Sequence, residues 1–297
     1  MKTYKSLFSI LALSLIAGFF VFATFGDKKV NLLHEGTAFY FPSSIDFAGE
    51  PTPLRISDVK ERLDRELLIN ANLDATTALI IKRANRYFPI IEPILKKNNV
   101  PDDFKYLAVI ESGLANVVSG SGARGIWQFM PDTAKEKGME VNDFVDERYH
   151  LEKATEAACK YLLIAKEKFG SWTMAAASYN GGMNGLSKKI EEQKVNNYYD
   201  LALTEETSRY VFRILALKEI MKEPQKFGFK LTPSDLYPLI PVKKVEVDTT
   251  INDLTKFAMS QGINYKILKI HNPWLRDKKL LNPSKKKYQI EIPMEGY

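Results

Sequence analysis

FKYLAVIESGLANVVSGSGARGIWQFMP, residues 104–131, decides how the rest of this chain is read. Phe104, Leu107, Ala108 and Glu111 recur at i, i+3, i+4 and i+7, so a helix places all four on one face. The fourth of them is a carboxylic acid where an apolar residue would normally stand. Burial disfavours the charged form of a carboxyl, so Glu111 should hold its proton near neutral pH. A retained proton is what a general acid needs. The helix ends near Gly113, and Leu114 to Gly125 reads as a glycine-rich loop that lets another chain approach closely.

Pro101-Asp102-Asp103 opens the Glu111 helix, with proline in the first turn and acids at the positive end of the dipole. Upstream, Val59, Leu63 and Leu67 space a helix that starts at Ser57-Asp58. A second helix is predicted from about Thr76 to Phe88, stopped by Pro89, with a short helical turn from Pro93 to Asn98. Residues 27 to about 60 read as an irregular arm packed on the domain. Downstream, Pro131-Asp132-Thr133 starts a short helix, with Asp132 as its capping residue and Gly138 as its end. Leu151 to Phe169 is amphipathic, Ser171 caps a helix over Trp172–Tyr179, Asn180-Gly181-Gly182 ends it, and Thr204 to Lys222 forms a further long helix. No strand pattern interrupts residues 60–222.

The composition changes after Pro233. Val242–Val247 and Tyr288–Ile292 alternate like strands, and Ile251–Gln261 and Tyr265–His271 carry helical patterns between them. The fold class is therefore mostly α, followed by a small separate α+β (βααβ) module, with a linker near Thr232–Pro241.

Hydrophobic residues at 45% and charged residues at 26% are ordinary for a globular chain of 297 residues. The net charge of +6 is not evenly spread: residues 221–297 hold fourteen Lys/Arg against eight Asp/Glu. A basic surface suits nucleic acid, anionic lipid or an acidic wall polymer. Lys2 and Lys5 precede an uncharged run of 21 residues, Ser6–Gly26, which reads as an export signal or as a retained membrane anchor through residues 6–26. The body is then exported and periplasmic. A nucleic-acid partner is disfavoured, because no recognition motif accompanies the basic tail. No cysteine follows the apolar run, which excludes lipid attachment there, and Cys159 reads as a small core residue. His34, His150 and His271 lack ligand spacing, so neither a metal nor another cofactor is read.

Most glycosidases flank the scissile bond with two carboxylates. Downstream of Glu111 no acid appears until Asp132. A site with one carboxylate needs a nucleophile from elsewhere, and a hydroxyl of the substrate itself can supply it by proximity.

Four segments carry a family resemblance: Glu111-Ser112, Gly125-Ile126-Trp127-Gln128-Phe129-Met130-Pro131, Ser178-Tyr179-Asn180-Gly181-Gly182, and Glu206-Thr207 with Arg209-Tyr210. In this order they resemble the motifs of family 23 lytic transglycosylases, nearest the membrane-bound D type, over residues 50–230. The resemblance implies a lysozyme-like helical catalytic domain acting on peptidoglycan glycan strands. It implies that Glu111 protonates the bond between N-acetylmuramic acid and N-acetylglucosamine, then takes the proton of the C6 hydroxyl as a 1,6-anhydro ring closes. It places Ser112 and Ser119 near the acid and substrate, Gln128 and Asn180 on sugar amides, Tyr179 and Tyr210 orienting Glu111, and Met130 on the floor. Gln128 and Asn180 also suit a plainer part as loop caps, and Trp127 and Trp172 read as core. Ser178 and Gly120 depart from the family's commoner alanine and proline, which bears on fine substrate preference.

Asp248-Thr249-Thr250, Asn272-Pro273-Trp274 and Ile290-Glu291-Ile292-Pro293 resemble a LysM repeat in outline, with Val247 in place of the usual glycine. The division this implies is 1–26 signal or anchor, 27–88 arm and first helices, 89–232 catalytic domain and 242–297 LysM-like module. Two other readings remain open: a goose-type lysozyme-like hydrolase, and an inactive peptidoglycan-binding protein.

Overall fold

The computed structural model describes residues 40–295; the apolar run at 6–26 and His34 lie outside them. The architecture is mostly α, with ten α-helices among the described residues and a small C-terminal sheet.

The arm is more ordered than expected. Strands β1 (Asp46–Phe47) and β2 (Glu50–Pro51) form a tight hairpin turned by Ala48 and Gly49, at φ 55° and 79°. Gly49 N–H donates to Asp46 Oδ1, which locks the turn at 3.0 Å. Phe47 is fully buried and meets Phe104 edge-on. Asp103 Oδ2 accepts from Ala48 N–H and from Lys218 Nζ, both at 2.7 Å, so the hairpin clasps the start of the Glu111 helix.

Helix α1 (Ser57–Asn72) buries Val59, Leu63 and Leu67, as their spacing predicts. Helix α2 (Asp74–Lys97) differs from expectation, running without a break through Pro89 and Pro93. A proline inside a helix costs roughly 3 kcal/mol, mainly through the bond lost to the carbonyl four residues earlier. Here Asn85, Pro89 and Pro93 share an exposed face, so the freed carbonyls meet water. Ile91 and Leu95 on the opposite face are fully buried, each worth roughly 1.5–3 kcal/mol. Burial outweighs propensity.

A 3₁₀ turn at Asp102–Phe104 leads into α3 (Lys105–Ser112), which Gly113 ends at φ 59°. Then come α4 (Pro131–Glu136), α5 (Leu151–Phe169), α6 (Trp172–Gly181), α7 (Met183–Gln193) and α8 (Glu205–Lys222). Asp132 makes no capping bond; it lies in the first turn of α4, where its charge faces the positive end of the dipole. Ser171 Oγ caps α6 by accepting from Met174 N–H. The Glu50 carboxylate reaches over from the hairpin and accepts from the N–H groups of Trp172 (2.6 Å) and Thr173 (2.8 Å). Fully buried Ala175, Ala176 and Ala177 let α6 pack closely between α5 and α8. The glycine pair after Asn180 ends α6, yet the chain resumes helix at once as α7, which the sequence reading omitted.

Strand β3 (Val242–Val247) pairs antiparallel with β4 (Tyr288–Pro293), and α9 (Leu254–Ser260) and α10 (Tyr265–His271) complete the expected βααβ order. This module is not separate from the body. Val145 and Tyr149 of the body enter its core beside Leu254, Leu268 and Leu275. Asp146 N–H donates to Trp274 O (2.9 Å) and Arg276 N–H to Phe144 O (2.8 Å). Trp274 is stacked between His150 and Tyr288. Part of the basic tail is spent at this seam: Lys286 pairs with Glu140 and Glu147, and Lys244 with Glu152. Cys159 is buried and free, in keeping with its core reading. Among the described residues no helix is long and apolar enough to cross a membrane.

Trp274 is 3% exposed, so truncating it opens a large hole. Trp274→Ala should cost about 3–5 kcal/mol in a urea titration followed by circular dichroism.

Candidate active site

Phe104, Leu107 and Ala108 are buried, and Glu111 continues their stripe to the end of α3, where the body opens. Its carboxyl meets α8, whose Tyr210 hydroxyl donates to Glu111 Oε1. Burial pushes the Glu111 pKa up to about 7, with the nearby Glu206 charge adding to the rise, against the opposing pull of the Tyr210 bond and the Arg213 charge. Arg213 Nη2 donates to Ile110 O (3.1 Å) and Arg83 Nη1 to Gly113 O (3.0 Å), so two guanidinium groups hold the carbonyl end of α3.

The loop after α3 folds on itself through isolated bridges, Val118 to Arg124 and Arg124 to Phe129. A buried ion pair supports it from below. Arg148 binds Asp146 through Nε and Nη2, both at 2.8 Å, and its Nη1 donates to the carbonyls of Gly122 and Phe129. Gly125, at φ 80°, presses so tightly on this support that an added Cβ would lie 1.9 Å from the Arg148 carbonyl oxygen. Only glycine fits there.

Beside the loop is a cavity of about 480 Å³ lined by Gln128, Phe129, Met130, Tyr179, Asn180 and Met183, among others. Tyr179 connects it to the acid. Its ring lines the cavity, and burial, reinforced by the Glu111 charge, pushes its hydroxyl well above the ordinary tyrosine range.

Residues 88–201 match the Transglycosylase SLT domain family, and residues 243–296 match the Soluble lytic transglycosylase C-terminal LysM-like domain family. The central helical region is thus similar to transglycosylase SLT domains. Two curated proteins named Membrane-bound lytic murein transglycosylase D, from Escherichia coli strain K12 and from Escherichia coli O6:H1 strain CFT073, are each 30% identical to this chain over 196 residues. The match takes in 64% of this chain and 43% of each relative, so the chain spans less than half the length of these relatives.

Within the matched region, several residues take partners other than those the resemblance implied. Tyr210 holds Glu111, but Tyr179 does not; its single hydroxyl proton goes to Trp127 O at 2.8 Å. Ser112 Oγ donates to Ile126 O (2.8 Å) and braces the loop. Ser119 Oγ accepts from Ala123 N–H (2.9 Å) and lies 3.0 Å from Ser121 Oγ, shaping the turn. Gln128 sits at φ 50° and spends its amide protons on Gly125 O (2.7 Å) and Val117 O (3.1 Å), leaving Oε1 as its acceptor in the cavity. Met130, 42% exposed, lines the floor. Asn180 is gripped at both ends: Nδ2 donates to Glu206 Oε1 (2.9 Å), and Thr207 Oγ1 donates to Oδ1 (2.7 Å). Trp127 is fully buried and donates through Nε1 to Thr155, while Trp172 packs edge-on against Phe104.

The sequence reading gave no part to Glu206, Arg213 or the Arg148–Asp146 pair. Glu206 was visible inside a quoted motif; its closeness to Glu111 depends on α8 crossing α3, which spacing along the chain does not reveal. Among the described residues no group of three or more His, Cys, Asp or Glu side chains could hold a metal ion.

The raised pKa has a stability consequence. Between pH 4.5 and about 7 the folded chain keeps a proton that the unfolded chain has lost, so stability falls as pH rises through that window. Glu111→Gln lacks this penalty and still accepts the Tyr210 proton. It should exceed the unaltered chain by up to about 3 kcal/mol at pH 8 and by nothing at pH 4, read by urea unfolding at both pH values.

Proposed function

We propose that this chain is a peptidoglycan lytic transglycosylase that cleaves the bond between N-acetylmuramic acid and N-acetylglucosamine and leaves a 1,6-anhydro sugar. The observation carrying this reading is one half-buried carboxyl, Glu111, whose pKa is pushed up to about 7, near a cavity whose walls offer amide groups. At neutral pH about half of the molecules hold the proton to be given to the glycosidic oxygen. The carboxylate left behind is then the base for the C6 hydroxyl, whose oxygen attacks C1 of the same sugar. Intramolecular attack avoids the entropy of recruiting a second reactant.

Tyr210 fixes Oε1 of Glu111, Gln128 Oε1 and the second Nδ2 proton of Asn180 face sugar amides, and Met130 and Tyr179 supply apolar and aromatic wall. The names of the E. coli relatives, the SLT match and the order of the four motifs support the same chemistry. The same reading divides the chain into arm and first helices to residue 88, catalytic domain over 89–232 and LysM-like module from 242. It places the protein outside the inner membrane, delivered by the apolar run at 6–26, and gives the LysM-like module a part in holding glycan.

A hydrolytic reading draws on Glu206, a second carboxylate close enough to raise the Glu111 pKa. It would release a reducing end. Mass spectrometry of digested sacculi separates the two, because the anhydro product is lighter by one water. Glu111→Gln should fold and lose at least about a hundredfold in cleavage rate. The unaltered chain should lose rate as pH rises above about 7 and the acid empties. Tyr210→Phe should move that limb to higher pH, since the hydrogen bond it removes favours the carboxylate.

A further inference from the structure

A second cavity, of about 310 Å³, opens at the seam between the SLT domain and the C-terminal module. Asn116 and Ile126 of the loop after α3 form part of its wall, Ile126 only two residues before Gln128 of the first cavity. Its apolar lining includes Tyr87, Ile90, Ile240 and Pro273. Three polar groups around it keep hydrogen-bonding capacity to spare. His150 is half-buried, stacks on Trp274 at 5.8 Å, and its ring exchanges no hydrogen bond with any described residue. Burial holds that imidazole neutral, with its pKa pushed down to about 4. The Glu291 carboxylate accepts no hydrogen bond from any described residue, and its near cation, Lys244, lies 3.8 Å away and is engaged by Glu152. Arg86 uses only Nε, on Pro238 O at 3.0 Å, and keeps both terminal nitrogens for another partner.

An imidazole open to the cavity, an acceptor carboxylate and a donor guanidinium around an apolar slot suit a short zwitterionic ligand with small side chains. We propose that the seam cavity binds the short peptide branch carried by the glycan strand, so that peptide-bearing strands are recognised behind the catalytic loop as well as in front of it. The proposal rests on the transglycosylase reading for the identity of the strand. Glu291 receives the amine of a diamino acid, Arg86 receives a carboxylate, alanyl methyl groups lie on Tyr87, Ile90 and Ile240, and His150 meets a peptide group. Ile126 joins this cavity to the acid, because its carbonyl accepts from Ser112, the residue next to Glu111. An occupied cavity therefore stiffens the loop beside the acid and favours cleavage of strands that bear peptides.

The test is a calorimetric titration of the full chain with a synthetic tetrapeptide of alanine, glutamate, a diamino acid with a free side-chain amine, and alanine with a free carboxylate. The unaltered chain should bind it. Glu291→Gln, which keeps the shape of the side chain, should weaken binding about tenfold. Leu239→Trp, which fills the slot from its exposed rim, should abolish it. Both variants should cut peptide-free glycan strands at the unaltered rate and lose the preference for peptide-bearing strands. Absence of binding at millimolar peptide, or equal binding by the unaltered chain and Glu291→Gln, overturns the proposal. The titration involves no bond cleavage, so its failure leaves the transglycosylase reading standing. A chain that binds the peptide but cuts no strand would sink that reading instead.

Discussion

The crossing of α3 and α8 is the contact on which the rest of the molecule depends. It brings Tyr210 and Arg213 against the end of a helix ninety-nine residues earlier in the Tyr210–Glu111 case, and it draws the carboxyl partly out of water. Raising a carboxyl from 4.5 to about 7 costs roughly 3 kcal/mol when it is charged. Burial of Phe104 and Leu107 on the same face contributes a comparable or larger amount, roughly 1.5–3 kcal/mol for each side chain. The apolar part of the stripe thus offsets the strain of its last member. The hairpin reinforces the arrangement from the far side, because Asp103 at the start of α3 is tied both to Ala48 and to Lys218 of α8.

Much of this was legible in the chain itself. Periodicity and glycine stops placed α5 and the start of α6 accurately, since Gly170 and Ser171 act locally and need no distant partner. The apolar stripe ending in Glu111 identified both the helix and its unusual acid. What could not be read was decided by tertiary contacts. The run of α2 through two prolines depends on which face meets solvent. The partners of Tyr179 depend on where the Trp127 carbonyl points, and the part of Glu206 depends on a helix crossing. Local chemistry can nominate a tyrosine or an acid for a site. Only packing assigns its proton.

The seam changes the meaning of the C-terminal module. A tethered module would sample many orientations, whereas this one shares Val145 and Tyr149 with the body and spends Lys244 and Lys286 on body acids. Its position relative to the loop after α3 is part of the fold, and the basic charge of the tail is correspondingly less available to outside anions.

The Glu50 cap gives the hairpin a mechanical character. One carboxylate from the arm is fastened to the first turn of α6, the helix whose other end bears Tyr179 and Asn180. A pull on the hairpin would therefore load Glu50 first and travel the length of α6 to Tyr179 and Asn180.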